Sequence, residues 1–228
     1  MSKNDSKIEE LFNAKAHLGH KSNRVHPKAK KYIYSIENGV SIIDLTQTVT
    51  QLEKAKQFIS QLTADKKCFV IVATKKIAAD FVKKTAQESK LHFITIKWPA
   101  GLLTNFDIIS KNMKKLNTMK KEKENGDWNK FVKHEQIQLD KELNKLEKFY
   151  GGLAGLEKLP DALFIIDTKK EKNAVIEAKK MNIPVVALSD TNTNPNLVDF
   201  PIVGNDDSLS SIEYFVKDII SACKKEDK

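Results

Sequence analysis

The chain has 228 residues, 40% of them hydrophobic, which suits one buried core or one core with an insertion. Its formal net charge of +9 favours an acidic partner, nucleic acid ahead of an anionic membrane surface. No apolar run approaches the roughly 20 residues of a membrane-spanning helix, so a soluble protein is expected over a membrane one. The start, Met1-Ser2-Lys3-Asn4-Asp5, lacks an apolar signal core. Cys68 and Cys223 sit in separate apolar segments and give neither metal spacing nor a disulfide framework, so reducing cytosol is expected. Arg24 is the only arginine. Point-charge contacts to phosphate are therefore plentiful, while bidentate reading of bases is nearly absent.

In chain order, a short helix over residues 6–16 runs into a basic arm, residues 11–36. The arm holds Lys15, Lys21, Arg24, Lys28, Lys30 and Lys31 and no Asp or Glu, with His17, His20, His26, Tyr32 and Tyr34 among them. Six cations beside aromatic rings suit phosphate contact with some stacking on bases. If all six meet phosphates, log affinity falls against log salt with a slope of about −4 to −5. The competing reading is a solvated lysine-rich loop. Two apolar runs, 32–36 and 40–43, flank Asn38-Gly39, a strong hairpin signal. A helix capped by Thr46 and reaching about residue 62 follows.

Beyond it, short apolar runs at 68–73, 91–96, 162–166, 184–188 and, more weakly, 198–203 read as buried strands. Helical patterns alternate with them, at 75–89 with Ile77, Ala78, Phe81 and Val82 on one face, and at 170–181 with Ala174, Val175 and Ala178. Strand–helix alternation without polar interruption predicts an α/β fold: a parallel sheet with helices on both faces. Residues 104–150 break the rhythm. Phe106, Ile109, Met113 and Leu116 mark one helix face, Val132, Leu139, Leu143, Leu146 and Phe149 another, and Glu124-Asn125-Gly126-Asp127 the turn between. An inserted antiparallel helical hairpin is expected there, dividing the α/β domain into 1–103 and 151–228.

Chemistry-bearing residues are few. His17, His20 and His26 form a weak metal signal, because no Cys or acid near them in sequence completes a ligand set. Thr74-Lys75-Lys76 follows a strand and would sit at its carboxyl end, where α/β sheets bind ligands, but the phosphate-loop glycines are absent. Thr74 is expected to cap the following helix. Asp167, Asp190 and Asp206-Asp207 also fall at strand ends, as magnesium ligands or as turn and cap residues. Trp98-Pro99-Ala100-Gly101 reads as a turn.

Ordered motifs then resemble one family, the bacterial small-subunit ribosomal protein number two. They include Ala16-His17-Leu18-Gly19-His20, residues 23–27, Val72-Ala73-Thr74-Lys75-Lys76, and the stretch from Lys97-Trp98 to Leu103-Thr104-Asn105. Residues 32–34 leading to 40–45, Gly151-Gly152, residues 159–167, Ile183-Pro184-Val185 through Asp190-Thr191-Asn192, Asn194-Pro195 and residues 202–207 complete the set. The resemblance implies a flavodoxin-like (Rossmann-like) domain with an inserted coiled-coil hairpin. It implies a structural, non-catalytic role in translation on the cytoplasmic ribosome, bound to small-subunit rRNA near the head–body junction. It also implies contact with other small-subunit proteins, ribosomal protein one among them. No membrane, cofactor, metal or small-molecule substrate is expected. Lys97 stands where the family usually has arginine, Ala100 where it has glycine and Asn194 where it often has aspartate. The chain ends without the acidic tail of some members. The RNA contacts expected are Lys15, His17, His20, Lys21, Arg24, Lys28, Lys30 and Lys31 on the arm, with Lys75, Lys76 and Lys97 on the sheet. Two other classes stay open: a phosphate-ligand or magnesium enzyme using Thr74, Asp167 and Asp190, and a regulatory RNA binder outside the ribosome.

Overall fold

The computed structural model describes residues 3–223. The first two and last five residues, which bear on the expected leaderless start and tailless end, lie outside them. The chain opens with α1 (Lys3–Asn13), then β1 (Leu18–Lys21), β2 (Ile33–Glu37), β3 (Val40–Ile43) and α2 (Leu45–Ala64). Next come β4 (Phe69–Val72), α3 (Lys76–Glu88), β5 (His92–Ile94), α4 (Phe106–Glu124), α5 (Lys133–Tyr150), β6 (Ala162–Ile166), α6 (Lys172–Lys180), β7 (Val185–Ser189), β8 (Phe200–Val203) and α7 (Leu209–Cys223).

The large sheet runs β5-β4-β6-β7-β8, all parallel. Counted within the sheet, that is the 2-1-3-4-5 order of flavodoxin-like folds, with its switch point between β4 and β6. The apolar runs lack polar alternation because both faces are covered. Phe69, Ile71, Phe164, Ile166, Val186 and Leu188 point to one side, with buried residues of α2, α3 and α7. Val70, Val72, Leu163, Ile165, Val185 and Ala187 point to the other, against α6 and the foot of α4. The period of two along each strand sorts neighbours into two separate cores.

The Asn38-Gly39 hairpin forms as expected, with φ of 50° and 78° at the two turn residues, the positive pair a type I′ turn needs. Other expectations shift. Asp44, not Thr46, caps α2: its carboxylate accepts the Thr46 N–H at 3.0 Å, and aspartate is preferred over threonine at a helix N-cap. Ile77 is 46% exposed, because the buried stripe of α3 is Ala78, Val82 and Ala86.

Within residues 104–150, α4 and α5 pack through Leu116, Met119 and Leu143. The chain between them passes Gly126 at φ 77° and a short 3-10 turn, Asp127–Lys130. Trp128 on that turn is buried in the same cluster, which the helical spacing did not reveal. Val132, expected inward, is 67% exposed because it precedes the first turn of α5.

Candidate nucleic-acid interface

The basic arm is folded. Lys15 ends α1 in the left-handed region at φ 61°, and the Ala16 N–H donates to Leu11 O while the Lys15 N–H donates to Phe12 O. This pairing closes a helix end and turns the chain back. It also ends the helix before the expected residue 16. β1, which the sequence did not signal, then pairs antiparallel with β3 in a three-stranded sheet ordered β1-β3-β2.

Backbone contacts fasten the arm to the loops after β7 and β8, at the carboxyl edge of the large sheet. The His20 N–H donates to Thr191 Oγ1 at 3.0 Å and the His26 N–H to Thr191 O at 2.8 Å. Asn205 donates its amide N–H to Ala16 O and its side-chain amide to Lys15 O. A Cβ at Gly19 would meet Thr191 Cγ2 at 2.8 Å, so this crossing requires glycine.

On this fixed mount the side chains of Lys15, Lys21, Arg24, Lys28, Lys30 and Lys31 are all exposed. No acid pairs with any of them among the described residues. The Lys31 ammonium lies 4.8 Å from the Tyr32 ring centroid, a cation–π contact that leaves its charge available. Lys76, at the start of α3, and Lys97, after β5, are also exposed, on the carboxyl side of the large sheet.

The histidines divide. His17 stacks on Phe12 with ring centroids 4.2 Å apart, and burial holds its pKa below the usual value. The His26 Nδ1 accepts the Lys28 N–H at 3.1 Å, closing a local turn. His20 points inward. Its Nδ1 lies 2.8 Å from Asp190 Oδ2, and its Nε2 lies 2.7 Å from the Asn192 amide and 3.5 Å from Asp207 Oδ2.

Beside His20 stands a buried ion cluster. The Lys75 ammonium reaches Asp206 Oδ1 at 2.6 Å, Asp207 Oδ1 at 2.7 Å and Asp167 Oδ2 at 3.1 Å. Lys75, expected among the RNA contacts, is thus held within the fold. It also fills the position where Asp167 and Asp206 would have held magnesium. Thr74 does not cap α3: its hydroxyl donates to the buried Glu171 carboxylate, while the Lys170 ammonium donates to Thr74 O at 2.8 Å. The sheet's switch point, between β4 and β6, is closed by these internal bonds.

Charge in the cluster is shared unevenly. Burial pushes the Asp206 carboxyl up to about 7, helped by Asp167 and Asp190 and opposed by Lys75. Burial also works against the Lys75 ammonium, but Asp206, Asp207 and Asp167 outweigh it and hold its pKa above the usual lysine range. For Asp207, burial is overcome by Lys75 and His20, and the net shift is downward. The Asp190 hydrogen bond, opposed by burial, raises His20 above 6.5. A raised histidine pKa contributes stability that is present below 6.5 and lost as pH rises through the folded value. NMR titration of the His20 ring is therefore expected to give a midpoint above 6.5, and Asp190→Asn to move it down. A midpoint unaffected by that substitution would remove Asp190 as the cause.

The sequence offered no acid near the histidines for a metal. The fold supplies two from far along the chain. His20, Asp190 and Asp207 bring ligand atoms within 4.8 Å of one another, the one such group among the described residues. One imidazole with two carboxylates suits a divalent transition metal, zinc included.

Glu177 also escaped the sequence. It is buried on α6 and accepts the Trp98 indole N–H at 3.0 Å, the Gly101 N–H at 2.9 Å and the Leu103 N–H at 3.1 Å. One carboxylate thereby fixes the whole Trp98–Leu103 turn. Glu177→Gln keeps one acceptor oxygen and is expected to cost about 1–3 kcal/mol, read by urea denaturation, with a red shift of Trp98 fluorescence. An unchanged denaturation midpoint would show that the turn is held otherwise.

Residues 11–226 match the family model described as Ribosomal protein S2. A curated relative described as "Small ribosomal subunit protein uS2", from Sorangium cellulosum (strain So ce56), is 40% identical over 95% of this chain and 78% of its own length. The chain belongs to the ribosomal protein S2 family. Membership makes it a ribosomal protein of the small subunit, in a family whose role is structural rather than enzymatic. In this S2-family chain the segments Ala16-His17-Leu18-Gly19-His20, Asp190-Thr191-Asn192 and Asn205-Asp206-Asp207 meet at one place, where the arm is pinned and the ion cluster lies. Among the described residues no helix is long and apolar enough to cross a membrane.

Proposed function

We propose that this S2-family protein anchors in the small ribosomal subunit through its folded basic arm, gripping rRNA backbone near the head–body junction. The observation that carries the reading is the row of six exposed, acid-free cations on a mount fixed by backbone hydrogen bonds. A fixed mount loses less entropy on binding than a flexible tail with the same charges. Lys15, Lys21, Arg24, Lys28, Lys30 and Lys31 meet phosphate, with Lys76 and Lys97 extending the surface. His17 lies beside them, while His20 and Lys75 act from within by holding the loops on which the arm rests.

In this reading residues 104–150 form an inserted antiparallel coiled-coil hairpin that reaches a neighbouring RNA or protein, and the α/β domain comprises 1–103 and 151–228. Its partners are small-subunit rRNA and other small-subunit proteins, ribosomal protein one among them, on the cytoplasmic ribosome. Sedimentation of a cell extract tests the proposal. The protein should travel with small subunits and leave them as salt rises. Finding it only in the free soluble pool would sink the idea.

A further inference from the structure

A second basic feature starts from Lys97 and includes none of the arm's own residues. Where the Trp98 turn meets α4 and α5, the protein encloses an open cavity of about 750 Å³. That lies within the range of small-ligand sites, roughly 300–1,000 Å³. Trp98, Leu146, Phe149 and Tyr150 line it. Lys97 approaches from the end of β5, and Lys141 and Lys145, four apart on α5, rise on one helix face. All three lysines are exposed, and none is in an ion pair among the described residues. The acid in the lining, Glu142, is already neutralised by Lys115. The result is an apolar, aromatic-bearing pocket with an uncompensated cationic rim.

The pocket is also preformed. Glu177 fixes the turn on one side, and Asn112 donates to the Tyr150 hydroxyl on the other, at 3.4 Å. An occupant must therefore offer a flat apolar body with negative charge on both sides of it. An unpaired nucleotide has that shape: a base to lie against the rings and flanking phosphates for the lysines. We propose that this cavity takes a single unpaired nucleotide of RNA, with Lys97, Lys141 and Lys145 on the adjoining phosphates. This goes beyond the arm, because it adds recognition of RNA shape to a surface that otherwise holds only backbone. It rests on the reading of the protein as an RNA binder.

The probes are two RNA duplexes identical except for one unpaired uridine in the middle of the first, titrated with the full-length protein. The bulged duplex is expected to bind about tenfold more tightly. Replacing Lys97, Lys141 and Lys145 together with glutamine should abolish that preference and lower the salt slope on the bulged duplex by about 2 to 3 units. Phe149→Leu should remove the preference and leave the slope unchanged. The three lysines are exposed, so the triple variant folds even if the Phe149 variant does not. Ultraviolet crosslinking of the bulged duplex should attach uridine to the segment containing Phe149 and Tyr150. Equal affinity for the two duplexes overturns the proposal. So does three-lysine-dependent binding of an acidic peptide bearing a tyrosine, with no dependence for RNA, which would make the cavity a protein dock. Should both duplexes bind equally and lose affinity only when the arm is neutralised, the cavity fails and the arm stands. Should neither bind at all, both fail.

Discussion

Replacing Lys21, Arg24, Lys28 and Lys31 together with glutamine is expected to flatten the dependence of log affinity on log salt by about 3 to 4 units, measured by filter binding to small-subunit rRNA. Each phosphate neutralised by a protein cation releases condensed counterions, and each contributes about 0.7–0.9 to the slope according to the strandedness of the RNA. With six arm cations engaged, a fourfold rise in salt costs roughly 10³ in affinity; with two left it costs on the order of tenfold. Folding should be unaffected, since all four side chains are exposed and make no ion pair with an acid among the described residues. Circular dichroism and the urea midpoint check this. An unchanged slope would move the RNA surface to residues 104–150, where eleven lysines face eight acids in the sequence.

The arm's charge was legible in the sequence and its shape was not. Acid-free composition is a local property, visible by counting. The mount is a long-range property: Thr191 and Asn205 hold the backbone at His20, His26 and Ala16 across more than half the chain. Nothing within residues 11–36 shows it, although Gly19, with no room for a Cβ beside Thr191, is its trace. The parallel sheet was legible because strands buried on both faces need unbroken apolar runs, and period-two sorting follows without further information. Helix faces were harder. In α3 the five apolar residues among its first seven do not decide which stripe turns inward, and Ile77 went to solvent. The acids at strand ends could be located but not interpreted. Asp167 and Asp206 were open as magnesium ligands until the fold brought a lysine between them. Glu177 gave no signal, since a single glutamate on a lysine-rich helix resembles any solvated charge.

Lys75→Met is expected to destabilise the protein by about 3–5 kcal/mol well above pH 7, the usual cost of removing one partner from a buried ion pair. Methionine keeps the length of the stem, so little is lost in packing. What is lost is the cation shared by Asp167, Asp206 and Asp207, and Asp206 is only 1% exposed. The pH dependence separates this cause from lost packing. The folded pKa of Asp206 already lies above its ordinary 3.8, through burial and then through Asp167 and Asp190. A raised carboxyl contributes stability below 3.8 that disappears as pH rises through the folded value, about 7. Without Lys75 that value rises further, so the cost of the substitution should grow as pH rises above about 7 and level off below it, where Asp206 is protonated with or without Lys75. Asp206→Asn added to Lys75→Met should recover part of the loss above pH 7, because a neutral amide needs no cation. Urea denaturation on both sides of pH 7 would refute the account if the cost did not grow above it. RNA binding gives a second readout. Lys75 holds the loop from which Asn205 grips the arm, so its removal should weaken binding of rRNA while the salt slope stays as it was. A slope reduced by about one unit would instead return Lys75 to the phosphate-contacting surface.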